Sequence, residues 1–307
     1  MRPSATPHGT GAVNLSVYLA QRQQRVNGFL DQCVPASFQP EKLAHAMRYT
    51  LLSEGKRIRP ILAIASCEAV GGQLARVLPF AGALEMIHAY SLIHDDLPAM
   101  DDDDLRRGRP TNHVVFGEGM AILAGDALLT EAFHVMGEAT ARAGARQRQA
   151  AKALVEIAKA AGAYGMVGGQ VADISAEGTT PDLPTVEFIH VRKTGALIRA
   201  AVRAGALLGG ARPRQLRHLT RYGELIGLAF QVADDILDAE APTAFTGKNT
   251  GRDQERQKAT FPAVLGLSAA KEHARSLLAE ALETVVPFGP RAEPLAEIAR
   301  FVVGRVC

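Results

Sequence analysis

The chain has 307 residues, 47% of them hydrophobic and 21% charged, and its 34 basic and 32 acidic residues leave a formal net charge of +2. That is ordinary globular usage with enough chain to bury a substantial core, which excludes a disordered or fibrous protein. A polyanion binder is usually more basic, so nucleic acid is not favoured as a partner.

Alanine, leucine, arginine and glutamate are frequent, and alternating β-type runs are scarce, so the chain reads as all-α with about a dozen helices. Residues 1–15 are expected to be flexible. The stretch Pro35 to Pro40 precedes a helix from about Glu41 to Glu54, on which Leu43, Met47 and Leu51 share a face. Gly55-Lys56-Arg57-Ile58-Arg59-Pro60 follows, then a Gly71-Gly72 turn. An apolar helical segment, Leu84 to Ile93, leads into His94 and the aspartates, and Gly108 to Asn112 marks a turn. Ala160 to Val171, rich in Ala and Gly, reads as close-packed buried helix. Ala176 to Pro184 and Glu240 to Lys258 read as flexible loops, the second a plausible lid. Between them, after a turn at Gly209 to Pro213, Leu216, Leu219, Leu225 and Leu228 mark a helix running into Phe230 to Asp238. No composition shift or fixed repeat divides the chain, so one domain over residues 1–307 is expected.

Cys33, Cys67 and Cys307 are widely spaced and form no CxxC pair, so neither a disulfide framework nor a cysteine zinc site is indicated, and a reduced cytoplasmic setting fits. The N-terminus lacks a signal-peptide core. With no run of about 18 uncharged apolar residues, no membrane insertion is expected.

Charge is distributed unevenly. Asp95 to Asp104 holds six aspartates in ten residues. Asp95 falls near a helix C-terminus, against the helix dipole, and Pro98 then lets Asp101 turn back toward it. A cation resolves this arrangement, and carboxylates are the preferred ligands of Mg²⁺. A solvated acidic loop is the other reading. The required Gly and closing Glu of an EF-hand are absent. A second cluster lies in a helical stretch: Asp234 and Asp238 stack on one face with Asp235 beside them. Two such clusters in one helical chain are more specific than either alone.

The bases are grouped as well. Lys56 and Arg59, three apart, are expected to share a helix face and a common anionic partner. Arg106 and Arg107 follow the first acidic cluster. Lys193, Lys248 and Lys258 lie later, and Lys248 is a candidate for substrate binding. Surface solubility is the ordinary reading for Arg57, Arg109 and Lys248. His88 lies on the helix leading into the aspartates, where a lone histidine is more often a hydrogen-bonded core residue. Two carboxylate clusters, two cationic patches and an apolar interior suit a substrate with a diphosphate head and a hydrocarbon tail, plus a second diphosphate held by bases alone.

These residues, together with Glu85-Met86-Ile87-His88, Gly168-Gly169-Gln170 and Lys193-Thr194-Gly195, resemble those of the trans-isoprenyl diphosphate synthases, particularly bacterial farnesyl diphosphate synthases, from about residue 40 to residue 270. Geranylgeranyl diphosphate synthases share most of these landmarks. The resemblance implies the isoprenoid synthase fold, with antiparallel helices around a deep central cavity, as a homodimer. It implies that Asp95, Asp96, Asp101, Asp234, Asp235 and Asp238 hold three Mg²⁺ (or Mn²⁺) on the allylic diphosphate. Arg106, Lys193 and Lys258 then contact that diphosphate, and Thr194 and Gln231 line the developing cation. Isopentenyl diphosphate lies against Lys56, Arg59, His88 and Arg107.

Tyr90 lies five residues before Asp95, about 7.5 Å along a helix at 1.5 Å per residue, and small Ser91 is beside it. By the resemblance, an aromatic there with the spacer Leu97 to Met100 is typical of C15 enzymes, so farnesyl diphosphate is the expected product and a C20 product the alternative. A plain core aromatic is the other reading of Tyr90. A class I terpene cyclase would not need Lys56, Arg59 and Arg107, and a non-catalytic subunit would be expected to lose one acidic cluster. Near the C-terminus only Arg305 is available, so a tail closing over the second diphosphate is not expected. Cys307 is the last residue, which excludes a prenylation box.

Overall fold

The computed structural model describes residues 13–179, 182–240 and 260–306. Lys248, Lys258 and most of the Glu240 to Lys258 loop therefore lie outside the described residues. The helices are α1 (Leu15–Cys33), α2 (Glu41–Leu51), α3 (Ile58–Ala69), α4 (Leu74–Asp95), α5 (Asn112–Phe116), α6 (Glu118–Ala141), α7 (Gln147–Ala161), α8 (Met166–Ala176), α9 (Leu183–His190), α10 (Ala196–Gly209), α11 (Pro213–Glu240), α12 (Phe261–Leu265), α13 (Leu267–Val285) and α14 (Glu293–Val303). A π-helical turn, Val191–Gly195, joins α9 to α10. Among the described residues the strand content is one antiparallel hairpin, β1 (Leu105–Arg106) with β2 (Arg109–Pro110). The fold is all-α, as the residue pattern predicts.

Two apolar cores share α3 and α10. One gathers Leu30, Phe80, Leu84, Ile87, Leu128 and Met136, and the other Ile61, Leu62, Leu219, Tyr222, Ile226 and Leu295. Small residues let the shared pair approach closely: a Cβ on Gly205 of α10 would lie 1.9 Å from the Ala63 carbonyl oxygen of α3. The α4 and α6 pair is similarly tight. The His94 ring occupies the space over Gly125, where a Cβ would come within 2.1 Å of it.

Several expectations are revised. The helix predicted over Glu41 to Glu54 ends at Leu51. Helix α3 then begins at Ile58, after Arg57 in the left-handed region at φ 51°. Lys56 therefore precedes the helix and does not share a face with Arg59. The stretch Ala160 to Val171 is not one buried helix, since α7 stops at Ala161 and α8 starts at Met166. The glycines of the intervening turn allow this. A Cβ on Gly165 would meet the Ala160 carbonyl oxygen at 2.0 Å. Tyr164, at 75% exposure, and Val171, at 60%, face outward. Within the N-terminal stretch expected to be flexible, the Asn14 side chain accepts from the Val17 N–H and caps α1. Helix α6 is long and apolar enough to pass as a membrane span by composition, but Ala121, Ala124, Leu128, Ala132 and Met136 pack its inner face into the core.

Candidate active site

Helix α4 carries Asp95 to its C-terminal end, and the chain folds back at once. The Asp101 N–H donates to the Asp95 carbonyl at 2.8 Å, and the Asp103 N–H to the Asp96 carbonyl at 3.2 Å. Burial pushes the Asp95 carboxyl up to about 6, with Lys193 and Arg106 opposing and Asp101 and Asp96 adding to the rise. Asp96 is buried and already partnered: Arg106 Nε donates to it at 2.7 Å and Arg106 Nη2 lies 2.6 Å away. Arg106 also reaches Asp103 at 3.8 Å.

The second cluster divides along the helix. Successive residues of α11 are rotated by about 100°, so Asp234 and Asp235 face different surroundings. Asp234 accepts from Arg305 Nη1 at 3.2 Å. Asp235 is buried, and its Oδ2 accepts from His190 Nε2 at 3.1 Å and from the Phe261 N–H at 2.9 Å. Gln231 Nε2 donates to His190 Nδ1 at 3.1 Å, which puts the imidazole proton on Nε2, facing Asp235. The His190 ring stacks on Phe261, with centroids 5.3 Å apart. Asp238 is exposed on the next turn.

The π turn holds Lys193 and buried Thr194 between these clusters. Lys193 Nζ donates to Asp173 Oδ2 of α8 at 2.5 Å, and Lys193 also lowers the pKa of Asp95. Close backbone contacts position the turn: a Cβ on Gly169 would lie 2.2 Å from the Lys193 N, and one on Gly227 of α11 would lie 2.9 Å from the Gly195 Cα. Gln170 Oε1 is buried without a hydrogen-bond partner among the described residues.

The cationic pole is built around Arg57, which is not a surface residue. Arg57 is 4% exposed and donates to Glu85 Oε1 at 2.8 Å, to Asn27 Oδ1 at 2.9 Å and to the Ser53 carbonyl at 2.6 Å. With its own charge matched by Glu85, Arg57 holds the segment carrying Lys56 and Arg59. Arg107 donates to the Glu54 carbonyl beside it. Arg59 and Arg107 are both held below the usual arginine value, chiefly by burial. Arg59 Nε is buried with no hydrogen-bond partner among the described residues. Burial, followed by the charges of Arg59, Arg107, Arg106 and Arg57, holds the His88 pKa well below 6.5. Lys56 Nζ sits 5.4 Å over the Phe301 ring, with Arg305 and Asp234 near enough to act on its charge. The C-terminal segment reaches the site: Phe301 of α14 lies under Lys56, and Arg305, just past the end of α14, rests on Asp234.

Tyr90 is 7% exposed and packs edge-on against His94, with centroids 5.7 Å apart. Ser91 Oγ donates to the His88 carbonyl at 2.9 Å. Asp173 and His190 are the site residues that sequence reasoning misses, while Glu85 and Arg305 are visible in the sequence but their pairing with Arg57 and Asp234 is not. Asp173 had a signal, since it follows Gln170 by one helical turn. His190 had none, because the contact that recruits it spans 45 residues.

A polyprenyl synthetase family model matches residues 40–286. The chain belongs to the polyprenyl synthetase family. A dimethylallyltranstransferase of Fischerella ambigua (strain UTEX 1903) is 47% identical over 95% of this chain and 84% of its own length. A geranylgeranyl diphosphate synthase of Cyanophora paradoxa is 46% identical over 95% and 97%. Among solved structures, an FPP/GFPP synthase from Zymomonas mobilis superposes with a TM-score of 0.85 at 38% identity, covering 95% of this chain and 100% of that one. As a polyprenyl synthetase the chain is a trans-prenyltransferase of isoprenoid biosynthesis with the all-α isoprenoid synthase fold.

Proposed function

We propose that this polyprenyl synthetase condenses isopentenyl diphosphate head-to-tail with dimethylallyl and geranyl diphosphates, releasing farnesyl diphosphate as its main product. The observation that carries the reading is the separate cationic pole of Arg59 and Arg107 beside the acidic one. A cyclase acting on one diphosphate has no use for it. A non-catalytic subunit has no use for both acidic clusters, and both are intact here.

The donor set fits divalent metal. Burial, with Asp101 and Asp96 adding to it, pushes the Asp95 carboxyl up to about 6, which a bound cation would offset, and hard oxygen donors are what Mg²⁺ selects. Asp95, Asp101, Asp234 and Asp238 are the residues proposed to hold it, with three ions per site as the family reading and Mn²⁺ as a possible substitute. Asp96 joins through Arg106, and Asp235 acts through His190 and Gln231. When bound, the metal neutralises charge on the departing diphosphate.

Arg106, Lys193 and Lys258 bind that leaving group, which takes the electron pair of the broken allylic C–O bond. Lys248 is proposed to assist. Lys56, Arg59, His88 and Arg107 hold isopentenyl diphosphate with its double bond toward the cationic carbon. Thr194 and Gln231 line that carbon, and the His190 bond fixes the Gln231 amide in one orientation. The new C–C bond leaves a second cation, and loss of a proton to the released diphosphate restores the alkene. Buried Thr194 and the apolar walls exclude water, which would trap either cation.

Tyr90 supports the C15 product. It is proposed as the floor that stops the tail, with Ser91 making room beside it. The C20 alternative is supported by the relative named geranylgeranyl diphosphate synthase. Exposed Val114, Val115, Ile122 and Leu123 on α5 and α6 support pairing into a homodimer. The two cores sharing α3 and α10 support one domain, and we place the enzyme in the cytoplasm. The direct test incubates purified protein with Mg²⁺, dimethylallyl diphosphate and isopentenyl diphosphate, then chromatographs the dephosphorylated products. A C15 alcohol is expected. A hydrocarbon, or no product, rules out the synthase reading.

A further inference from the structure

A cavity of about 520 Å³ opens at the end of the bundle opposite Asp95. It forms where α1, the first turns of α4 and α7, and the last turns of α6 and α10 converge. Pro79 on its wall precedes Asp95 by sixteen residues, about 24 Å along α4 at 1.5 Å per residue. Fully buried Ala83, Leu84, Ile87, Leu128 and Ala132 fill α4 and α6 between the two sites. The cavity is therefore not an extension of the active site, and its reading is independent of the proposed reaction.

Its chemistry is divided. Phe29, Pro79, Phe80, Val135 and Leu208 make an apolar interior, and Arg76, Arg142 and Arg146 line it as well. Arg142 is held by Glu138, whereas Arg76 and Arg146 have no salt bridge among the described residues. Helices α4 and α7 both begin here with no side-chain cap, so their positive dipole ends add to the arginines. Gln149, also lining the cavity, has a buried amide oxygen without a hydrogen-bond partner among the described residues. A bare phosphate would leave the apolar wall wet, and a neutral lipid would leave the arginines unused. The volume lies in the range that holds one small amphiphile.

We propose that this cavity binds a single-chain alkyl or prenyl phosphate, with its hydrocarbon chain against Phe29, Phe80 and Leu208 and its head group on Arg76 and Arg146. The probe is dodecyl phosphate carrying a diazirine at the chain end. It is photolysed with the full-length protein while excess inorganic diphosphate and Mg²⁺ compete at the active site, and the labelled peptides are then mapped. Label is expected within residues 75–80 and 135–150. The paired substitution Arg76→Glu and Arg146→Glu is expected to reduce it about tenfold or more, since each charge-assisted contact is worth roughly that much. Ala139→Trp fills the cavity without touching either charge and gives the same loss. Retained labelling in Ala139→Trp, label confined to the peptides around Asp95 and Asp234, or equal labelling by the neutral dodecanol analogue each overturns the proposal.

Discussion

Arg305 Nη1 lies 3.2 Å from Asp234 Oδ1, so the last turn of the chain rests on the second acidic motif. A guanidinium in that position competes with metal for the same carboxylate. Arg305→Ala is expected to lower the Mg²⁺ concentration for half-maximal rate about two- to fivefold, the range for a partly exposed ion pair. Initial rates across a Mg²⁺ titration measure it. A raised requirement would mean that Arg305 assists the loaded site.

Tyr90→Ala removes the proposed floor. The expected outcome is a shift from C15 to C20 and longer products, read by chromatography after dephosphorylation. Truncating a buried aromatic costs about 3–5 kcal/mol, so circular dichroism accompanies the assay. A folded variant with an unchanged product spectrum reduces Tyr90 to a core residue.

His88 makes stability depend on pH. Its folded pKa is held well below the ordinary 6.5, so below 6.5 the unfolded chain binds a proton that the folded chain refuses. The stability is fully present above 6.5 and is lost as pH falls toward the folded value. Urea midpoints at about pH 7.5 and about pH 5.5 bracket the change around the histidine range. The midpoint of His88→Asn is expected to fall less between them than that of the parent. An equal fall assigns the acid sensitivity to other groups.

Gly169→Ala tests how the π turn is held. The added Cβ would lie 2.2 Å from the Lys193 N and 2.6 Å from its Cα, and backbone on both sides leaves little room to yield. A loss of about 1–3 kcal/mol is expected in urea unfolding. Turnover is expected to drop about 100-fold, because an error of about 1 Å in a reacting group costs that much. Near-parental turnover would show that Lys193 needs no fixed position.

Glu85→Gln leaves Arg57 as a buried charge without its counterion. A destabilisation of about 3–5 kcal/mol is expected. The KM for isopentenyl diphosphate should also rise, because Arg57 anchors the segment bearing Lys56 and Arg59. A raised KM with unchanged stability would place Arg57 on the substrate rather than in the scaffold.

Helix content and the acidic and basic clusters were legible because they are local. Leu43, Met47 and Leu51 report a helical face, and Asp95 to Asp104 report crowding, within a few residues. Contacts between distant segments were not legible. The Arg57 and Glu85 pair spans 28 residues, and the Asp234 and Arg305 pair spans 71. A run of charges also hides which member is neutralised: Asp96 looks like Asp95 in the sequence, yet Arg106 sits on one and not the other. Backbone geometry misled once more at Lys56. Its three-residue spacing from Arg59 suggested a shared face, and the left-handed Arg57 between them removed it.

The π turn at Val191–Gly195 acts as a phase shifter between two helices. Such a turn takes up an extra residue, so α9 and α10 keep independent rotational settings. Deleting one residue there would let a regular helix run through and swing everything before it by about 100° relative to α10. Insertions and deletions should therefore be far less tolerated at these five residues than in the turn between α7 and α8.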